Sequence, residues 1–332
     1  MKFGTVPLAQ AEGGILAHSV QLADGRLRKG VTLDAGALKR LSSAGITEVT
    51  VAQLAAGDVH EDRAAERLAQ ALVPDPEAVH LRVARASTGR VNIHAKANGV
   101  VAIDADRINA VNAVHPMITV ATVPEWQRVA ARGMVATVKI ISYAAPGDAL
   151  EAACAAGQTA LGLRPVSRRR ATLIQTSVNQ QPVGPKGQRA MAARFDRMGV
   201  TMGEGAVVPH SVQALCDALR DACAQTDLIC VLTGSATSDL HDVAPEALRA
   251  AGGTVVHYGM PVDPGNLLFW GHLGSVPVIG LPGCARSPAL NGADWVLERM
   301  LCDVPVVPAD IMGMGVGGLL KEPPSRPKPR ES

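Results

Sequence analysis

Asp227–Ala250 reads DLICVLTGSATSDLHDVAPEALRA: an apolar run, a turn rich in small and hydroxyl residues, then a helical pattern opened by Pro245 and Glu246. The same order recurs on both sides of it. Upstream stand the strand-like ATLIQT (171–176), a helical pattern over Gly187–Met198, the short Ala206–Val208 and a second helical pattern over His210–Ala224. Downstream follow a helix from Pro245 to Ala251, TVVHYG (254–259), two more strands around LLFWG (267–271) and PVIGL (277–281), and a helix over Leu290–Leu301. Strands that alternate with helices predict βαβ units, hence an α/β domain with a mostly parallel sheet and helices on both faces. Ligands of such sheets bind beyond the carboxyl ends of the strands, so the loops after ATLIQT, DLICVL and PVIGL are where chemistry is expected.

The N-terminal half has a different texture. Ile15–Leu22 alternates and meets an Asp24-Gly25 turn, followed by a short helix over Leu33–Leu41 and a strand-like Glu48–Val51. Asp58–Leu72 carries Ala and Leu at helical spacing and stops before Pro74 and Pro76. From Leu81 to Tyr143 short β-rich runs (VNIHA, GVVAID, MITVATV, MVATVKIISY) are separated by Gly, Pro and Asn. The expected division is therefore an α+β segment (1–72), a β-rich middle (73–165), the α/β domain (166–310) and a flexible Gly/Pro-rich tail (311–332). The length of 332 residues fits two or more domains at roughly 150 residues each.

Composition narrows the function. The formal net charge is +2, and the segment Lys321–Ser332, with four basic and two acidic residues, accounts for 4 − 2 = +2 of it. A body balanced at zero offers no global field for a nucleic-acid backbone or an anionic membrane, so an anion must be met by a local site. Aromatic residues make up only 2%, which leaves few platforms for stacking bases. The six cysteines form no CxxC pair and no zinc spacing, no stretch has the length and apolarity of a membrane span, and no secretory leader is evident. A reduced, cytoplasmic, soluble protein is the expectation.

Two loops carry the chemistry. Thr233-Gly234-Ser235-Ala236-Thr237-Ser238 leaves a strand and leads through Asp239 and His241 to Asp242 at a helix start. Such a loop supplies N–H and hydroxyl donors to an oxyanion or a phosphate; equally, it could be an ordinary strand-to-helix connection capped by Asp242. Gly280-Leu281-Pro282-Gly283-Cys284-Ala285-Arg286-Ser287 combines two glycines for close approach with a hydroxyl and a guanidinium for a phosphate or carboxylate. Met260–Asn266, containing Pro264-Gly265-Asn266, is a third turn after a strand.

In order and spacing these three pieces resemble the molybdopterin-binding domain shared by molybdopterin adenylyltransferase, molybdopterin molybdotransferase and gephyrin. Thr233-Gly234 and Asp242-Val243-Ala244-Pro245-Glu246-Ala247 match an adenylyltransferase run similar to TGGTG…RDVTPEA; Pro264-Gly265-Asn266 and Gly280–Ala285 match molybdotransferase turns. Gly30–Val51 is more weakly similar to a molybdotransferase segment, and the whole chain looks most like bacterial molybdopterin-binding proteins that can be fused to a cytidylyltransferase. The resemblance implies a role in molybdenum cofactor biosynthesis, with Thr233, Gly234, Ser235, Thr237, Ser238, Pro264, Gly265, Asn266, Gly280, Leu281, Pro282, Gly283, Cys284 and Ser287 holding the pterin. It assigns Thr176, Asn179 and Arg286 to substrate, Asp242 and Asp239 to catalysis, and Asp242 to a Mg²⁺ that would accompany ATP. A cytidylyltransferase or molybdoenzyme partner and a homo-oligomer are implied as well.

The departures bear on activity. Ser235 replaces the second glycine of the first motif, Asn266 stands where molybdotransferases have Lys, and Thr176-Ser177-Val178-Asn179 replaces their Thr-Gly-Asp-Glu. His210 stands where an acid is often found. An enzyme that adenylylates the pterin or inserts molybdate is one expectation; a non-catalytic carrier is the alternative, and a nucleotide-directed competence-damage branch of the same fold is a third.

Overall fold

Along Leu228–Leu232 the side chains of Leu228, Cys230 and Leu232 enter one hydrophobic cluster while those of Ile229 and Val231 enter another. Both clusters are closed by helices, which is why this strand can be apolar throughout. In the computed structural model, which describes residues 1–179 and 181–320, the chain forms two compact units. The first comprises Met1–Lys96, Val101–Glu125 and Ala131–Leu163; the second comprises Ala97–Val100, Trp126–Ala130 and the chain from Arg164 onward.

The second unit is α/β. Its seven-stranded sheet runs Thr201–Met202, Arg170–Ser177, Leu228–Leu232, Val276–Gly280, Phe269–Leu273, Thr254–Tyr258, with Ala206–Pro209 also pairing Arg170–Ser177. Pairings from Thr201 through Val276–Gly280 are parallel, and the two pairings made by Phe269–Leu273 are antiparallel. Helices Lys186–Met198 and Gly292–Leu301 cover one face, filling it with Met191, Phe195, Val296 and Leu297. Val212–Cys223 and Val243–Ala250 cover the other with Leu215, Leu219, Ala247 and Leu248. The direction of the strands sends Ser177, Pro209, Leu232, Tyr258 and Gly280 to the same edge, together with the start of Phe269–Leu273.

The first unit is α+β. Lys2–Pro7, Glu48–Gln53 and Ile15–Leu16 form an antiparallel sheet beside the hairpin Val20–Leu22/Gly25–Leu27, over a core that includes Leu16, Leu33, Leu41 and Val51. A second antiparallel sheet orders Ile118–Thr122, Met134–Ile140, Arg90–Ala95 and Leu81–Val83, against which Glu61–Leu72 packs its Ala/Leu face. The expected boundary after residue 72 falls inside this unit. Helix Ala105–Val114 lies within the stretch expected to be β-rich. Its start is fixed when Asp104 accepts the Arg107 N–H at 3.0 Å, and Ile108 and Val111, three apart, are buried. Its β-branched Ile and Val resemble strand residues, so periodicity alone did not single it out.

The flexible tail expected from residue 311 requires correction. Pro308–Met312 is a short helix, Ile311 and Met314 are buried, and the chain then pairs with the Asp263 turn. Asp263 donates its N–H to the Gly318 carbonyl at 2.8 Å, and the Leu320 N–H reaches the Asp263 carbonyl at 2.8 Å. Glycine here serves close approach: a Cβ on Gly318 would lie 2.6 Å from the Pro261 carbonyl oxygen. The remainder of the expected tail, Lys321–Ser332, lies outside the described residues. Replacing the buried Ile311 by Ala should cost about 2–5 kcal/mol in a urea titration; a change below about 0.5 kcal/mol would show that the segment adds nothing to the fold.

Candidate functional site

Thr176 is the penultimate residue of the strand Arg170–Ser177, fully buried, and its hydroxyl joins two of the expected loops. The Gly234 N–H donates to Thr176 Oγ1 at 2.8 Å, and that oxygen lies 2.8 Å from His210 Nδ1. The hydroxyl thus accepts from Gly234 while sharing a second hydrogen bond with the imidazole. Gly234 is required by packing, since a Cβ there would sit 2.6 Å from the Thr176 carbonyl oxygen. Thr233 and Thr237 are buried with their hydroxyls 3.4 Å apart, and Tyr258 Oη donates to the Thr237 carbonyl at 3.0 Å. Burial first, then the carboxylates of Asp239 and Asp242, raises the pKa of the Tyr258 phenol. Ser235 and Ser238 are exposed.

The second loop continues the sheet through the Leu281 N–H, which donates to the Val231 carbonyl at 2.8 Å, and then turns as the 3-10 segment Gly283–Arg286. Arg286 reaches back to the first loop, where its Nη2 donates to the Thr233 carbonyl at 2.6 Å. This guanidinium is half-buried, and the desolvation lowers its pKa from the ordinary value. Its aliphatic stem borders the start of helix Lys186–Met198: a Cβ on Gly187 would lie 3.6 Å from Arg286 Cγ and 2.9 Å from Gln175 Oε1. That helix has no side-chain cap at its N-terminus, and Gln175 Oε1 is buried with no hydrogen-bond partner among the described residues. Cys284 is half-buried in the same turn, where its carbonyl accepts the Ser287 N–H at 3.0 Å.

Other expected residues are placed differently. Asp242 caps helix Val243–Ala250, its Oδ1 accepting the Val243 N–H at 2.7 Å and its Oδ2 the Ser238 N–H at 3.0 Å. Asp239 Oδ1 accepts the His241 N–H at 2.8 Å. Both carboxylates thus hold the loop's own backbone, and among the described residues no group of three His, Cys, Asp or Glu is arranged to hold a metal ion. Asp242 would offer the expected Mg²⁺ one carboxylate whose two oxygens each already accept a loop N–H. Pro264 and Gly265 are buried and support the start of helix Gly292–Leu301, the Pro264 carbonyl accepting the Gly292 N–H at 2.8 Å. Asn266 and Asn179 are exposed, and Asn266 Nδ2 donates to the Met260 carbonyl at 3.3 Å. Asp242→Ala should lower stability by about 1 kcal/mol while Asp242→Asn, itself a good cap, loses much less; equal losses in thermal melts of the two variants would deny the cap.

One organising residue escaped the motif reading. Arg194 is 4% exposed and pairs at 2.5 Å with Asp294, itself 5% exposed. Its remaining donors go to the carbonyls of Ala190, Ala285, Ser287 and Ala289 at 3.0–3.2 Å, so it anchors the whole second loop from beneath. A signal was present: Ala190, Met191, Arg194, Phe195 and Met198 fall on one buried helical stripe, where an arginine needs a partner.

The constellation is an anion-receptive edge, with a half-buried guanidinium, an uncapped helix start and exposed hydroxyls. Residues 5–53 match a family described as a domain of unknown function (DUF8806). No curated protein matches the chain. Among solved structures, the molybdopterin biosynthesis MoeA protein from Pyrococcus horikosii shares 14% identity over 91% of this chain and 75% of its own, with a TM-score of 0.32. The molybdopterin biosynthesis Mog protein from Mycobacterium ulcerans shares 20% over 41% of this chain and 99% of its own, TM-score 0.30. CinA from Thermoplasma acidophilum, a protein of unknown function, shares 17% over 41% and 98%, TM-score 0.28. Among the described residues no helix is long and apolar enough to cross a membrane.

Proposed function

We propose that the second unit binds a phosphorylated pterin of the molybdopterin type in molybdenum cofactor biosynthesis, as a carrier that holds the molecule and hands it on. The observation that carries this reading is Arg286: its guanidinium is partly withdrawn from water, tied to Thr233 of the facing loop, and set beside an uncapped helix start. A phosphate placed there meets a cation and unshared backbone donors in a medium where each counts for more than in water. Ser235 and Ser238 supply hydroxyls at the rim. Thr176, by fixing Gly234, keeps the first loop open toward the second.

Carriage is favoured over adenylyl or molybdate transfer because both Asp242 oxygens and Asp239 Oδ1 already accept loop N–H groups and position 266 bears no cation. The full chain, purified without oxygen from a molybdenum-replete host, should release a pterin identifiable by mass spectrometry and, after oxidation, by fluorescence. Arg286→Met should retain at least tenfold less, in line with a charged hydrogen bond worth about 1.5–3 kcal/mol. Equal pterin content in the two proteins, or none in either, would reject the site. Turnover of ATP or molybdate by the loaded protein would replace carriage with transfer.

A further inference from the structure

In the first unit, the junction between the strand Asp58–His60 and the helix Glu61–Leu72 borders a cavity of about 370 Å³, lined by Leu54, Asp58, Val59, His60, Arg63 and Arg67. Arg63 and Arg67 are four residues apart, so they stand one above the other on the helix, turned away from the buried Ala64, Ala65 and Leu68. Both are exposed, and a molecule in the cavity can reach either guanidinium.

This placement is unfavourable for the fold by itself. Like charges at i and i+4 repel, and Arg63 lies in the first turn, the end of a helix that disfavours a cation. Neither charge is met internally. Arg63 makes no hydrogen bond or ion pair among the described residues, and Arg67 comes only within 3.9 Å of Glu151, with the two side chains 44% and 74% exposed, so that water screens the contact. The flanking acids are engaged elsewhere: Glu61 faces Lys139 at 3.6 Å, and Asp62 Oδ1 accepts the Gly89 N–H at 2.7 Å. Glu66 lines a neighbouring cleft and pairs with neither arginine. The carboxylate in the lining, Asp58, is 8% exposed; its Oδ2 lies 2.6 Å from the Met1 amino group and accepts the Ala55 N–H at 2.7 Å.

We infer that this cavity is a second anion site, taking a small phosphate monoester whose phosphate is held by Arg63, Arg67 and His60 and whose organic group rests on Leu54 and Val59. The His60 Nδ1 accepts the backbone N–H of Asp62 at 3.3 Å, which leaves the ring hydrogen on Nε2 as a third donor for the phosphate. Charge selects the head group. A phosphate monoester carries about −1.5 to −2 at pH 7 and matches two guanidiniums, whereas a monocarboxylate leaves one of them unmet. Leu54, 38% exposed, and Val59 give the ester group an apolar seat. The site uses no residue of the Arg286 edge and stands or falls independently of the pterin reading.

The test uses the full chain with ¹³C-labelled histidine, at constant pH and low salt, and reads the His60 Cε1–H resonance, assigned by His60→Gln among nine imidazoles. Phenyl phosphate serves as probe, with benzoate as its singly charged counterpart, benzyl alcohol as the neutral one and inorganic phosphate as the head group alone. Phenyl phosphate should move the His60 resonance at concentrations at least tenfold below those needed for benzoate or benzyl alcohol, and below those needed for inorganic phosphate. Arg63→Gln with Arg67→Gln should weaken phenyl phosphate at least tenfold at this resonance. Without ligand the melting temperature of that variant should stay level or rise, because a like-charge pair is removed and glutamine is a good helix former. Phenyl phosphate should raise the melting temperature of the unaltered chain more than that of the variant. An unmoved His60 resonance, equal affinity with and without the two arginines, or benzoate binding as tightly as phenyl phosphate would overturn the inference. So would a variant that fails to fold or melts several degrees lower, since the arginines would then serve the fold and not a ligand.

Discussion

Arg194→Met is expected to destabilise the protein by about 3–5 kcal/mol, because it strands the Asp294 carboxylate, 5% exposed, without its counter-ion. The carbonyls of Ala285, Ser287 and Ala289 lose their donors at the same time, so the second loop should loosen together with the core beneath it. Urea unfolding gives the stability, and amide exchange at residues 283–289 reports the loop. Replacing both partners by apolar residues, as in Arg194→Met with Asp294→Leu, should recover part of the loss, because no charge is then left buried alone. Full recovery is not expected: Asp294 also accepts the Asn291 N–H at 2.9 Å in the capping box that opens helix Gly292–Leu301. A loss under about 1 kcal/mol in the single variant would mean that water reaches the pair.

Gly280→Ala should be nearly as damaging, whereas Gly283→Ala, three residues on, should be close to neutral. A Cβ at position 280 would lie 1.8 Å from Phe269 Cε1, inside a ring that is 1% exposed and cannot swing outward without opening the core. At position 283 the nearest atom is Arg286 Nη1 at 3.6 Å, an ordinary contact. Overpacking of a closed core costs typically 1–3 kcal/mol and occasionally more, and the depth of this overlap places Gly280→Ala at about 3 kcal/mol or beyond. Phe269→Leu introduced with it should restore a folded protein. Equal melting temperatures for the two alanine variants would refute this packing, and since both glycines belong to one motif, sequence similarity alone gives no reason to rank them.

Much of the second unit was legible before any coordinates. The apolar run Leu228–Leu232, the small-residue loop and the helix opened by Pro245 lie consecutively in the chain, and local periodicity is set by the backbone geometry of each element. The convergence of the loops after residues 177, 232 and 280 followed too, because parallel strands must point their carboxyl ends to one edge. Less legible was the antiparallel insertion of Phe269–Leu273 between Val276–Gly280 and Thr254–Tyr258. A strand's direction depends on which neighbour it meets, and the intervening turns allow either.

The roles of individual polar residues were decided by the tertiary structure. Asp242 stands by analogy of position where a metal ligand is expected, and the structure adds that its oxygens accept the Ser238 and Val243 N–H groups of its own loop. Arg194 lay in a helix without a motif, and only the approach of Asp294, a hundred residues away, makes it the anchor of the second loop. Gly315–Leu320, which composition marks as flexible, is held because the Asp263 turn presents an N–H and a carbonyl to it. For Arg194 and for Gly315–Leu320 the deciding partner is distant in sequence, and for Asp242 it lies within its own loop: a residue type and its spacing fix what a group can offer, its helix or its strand, while burial and the identity of the group brought opposite fix whether it binds a ligand, caps a helix or holds a loop in place.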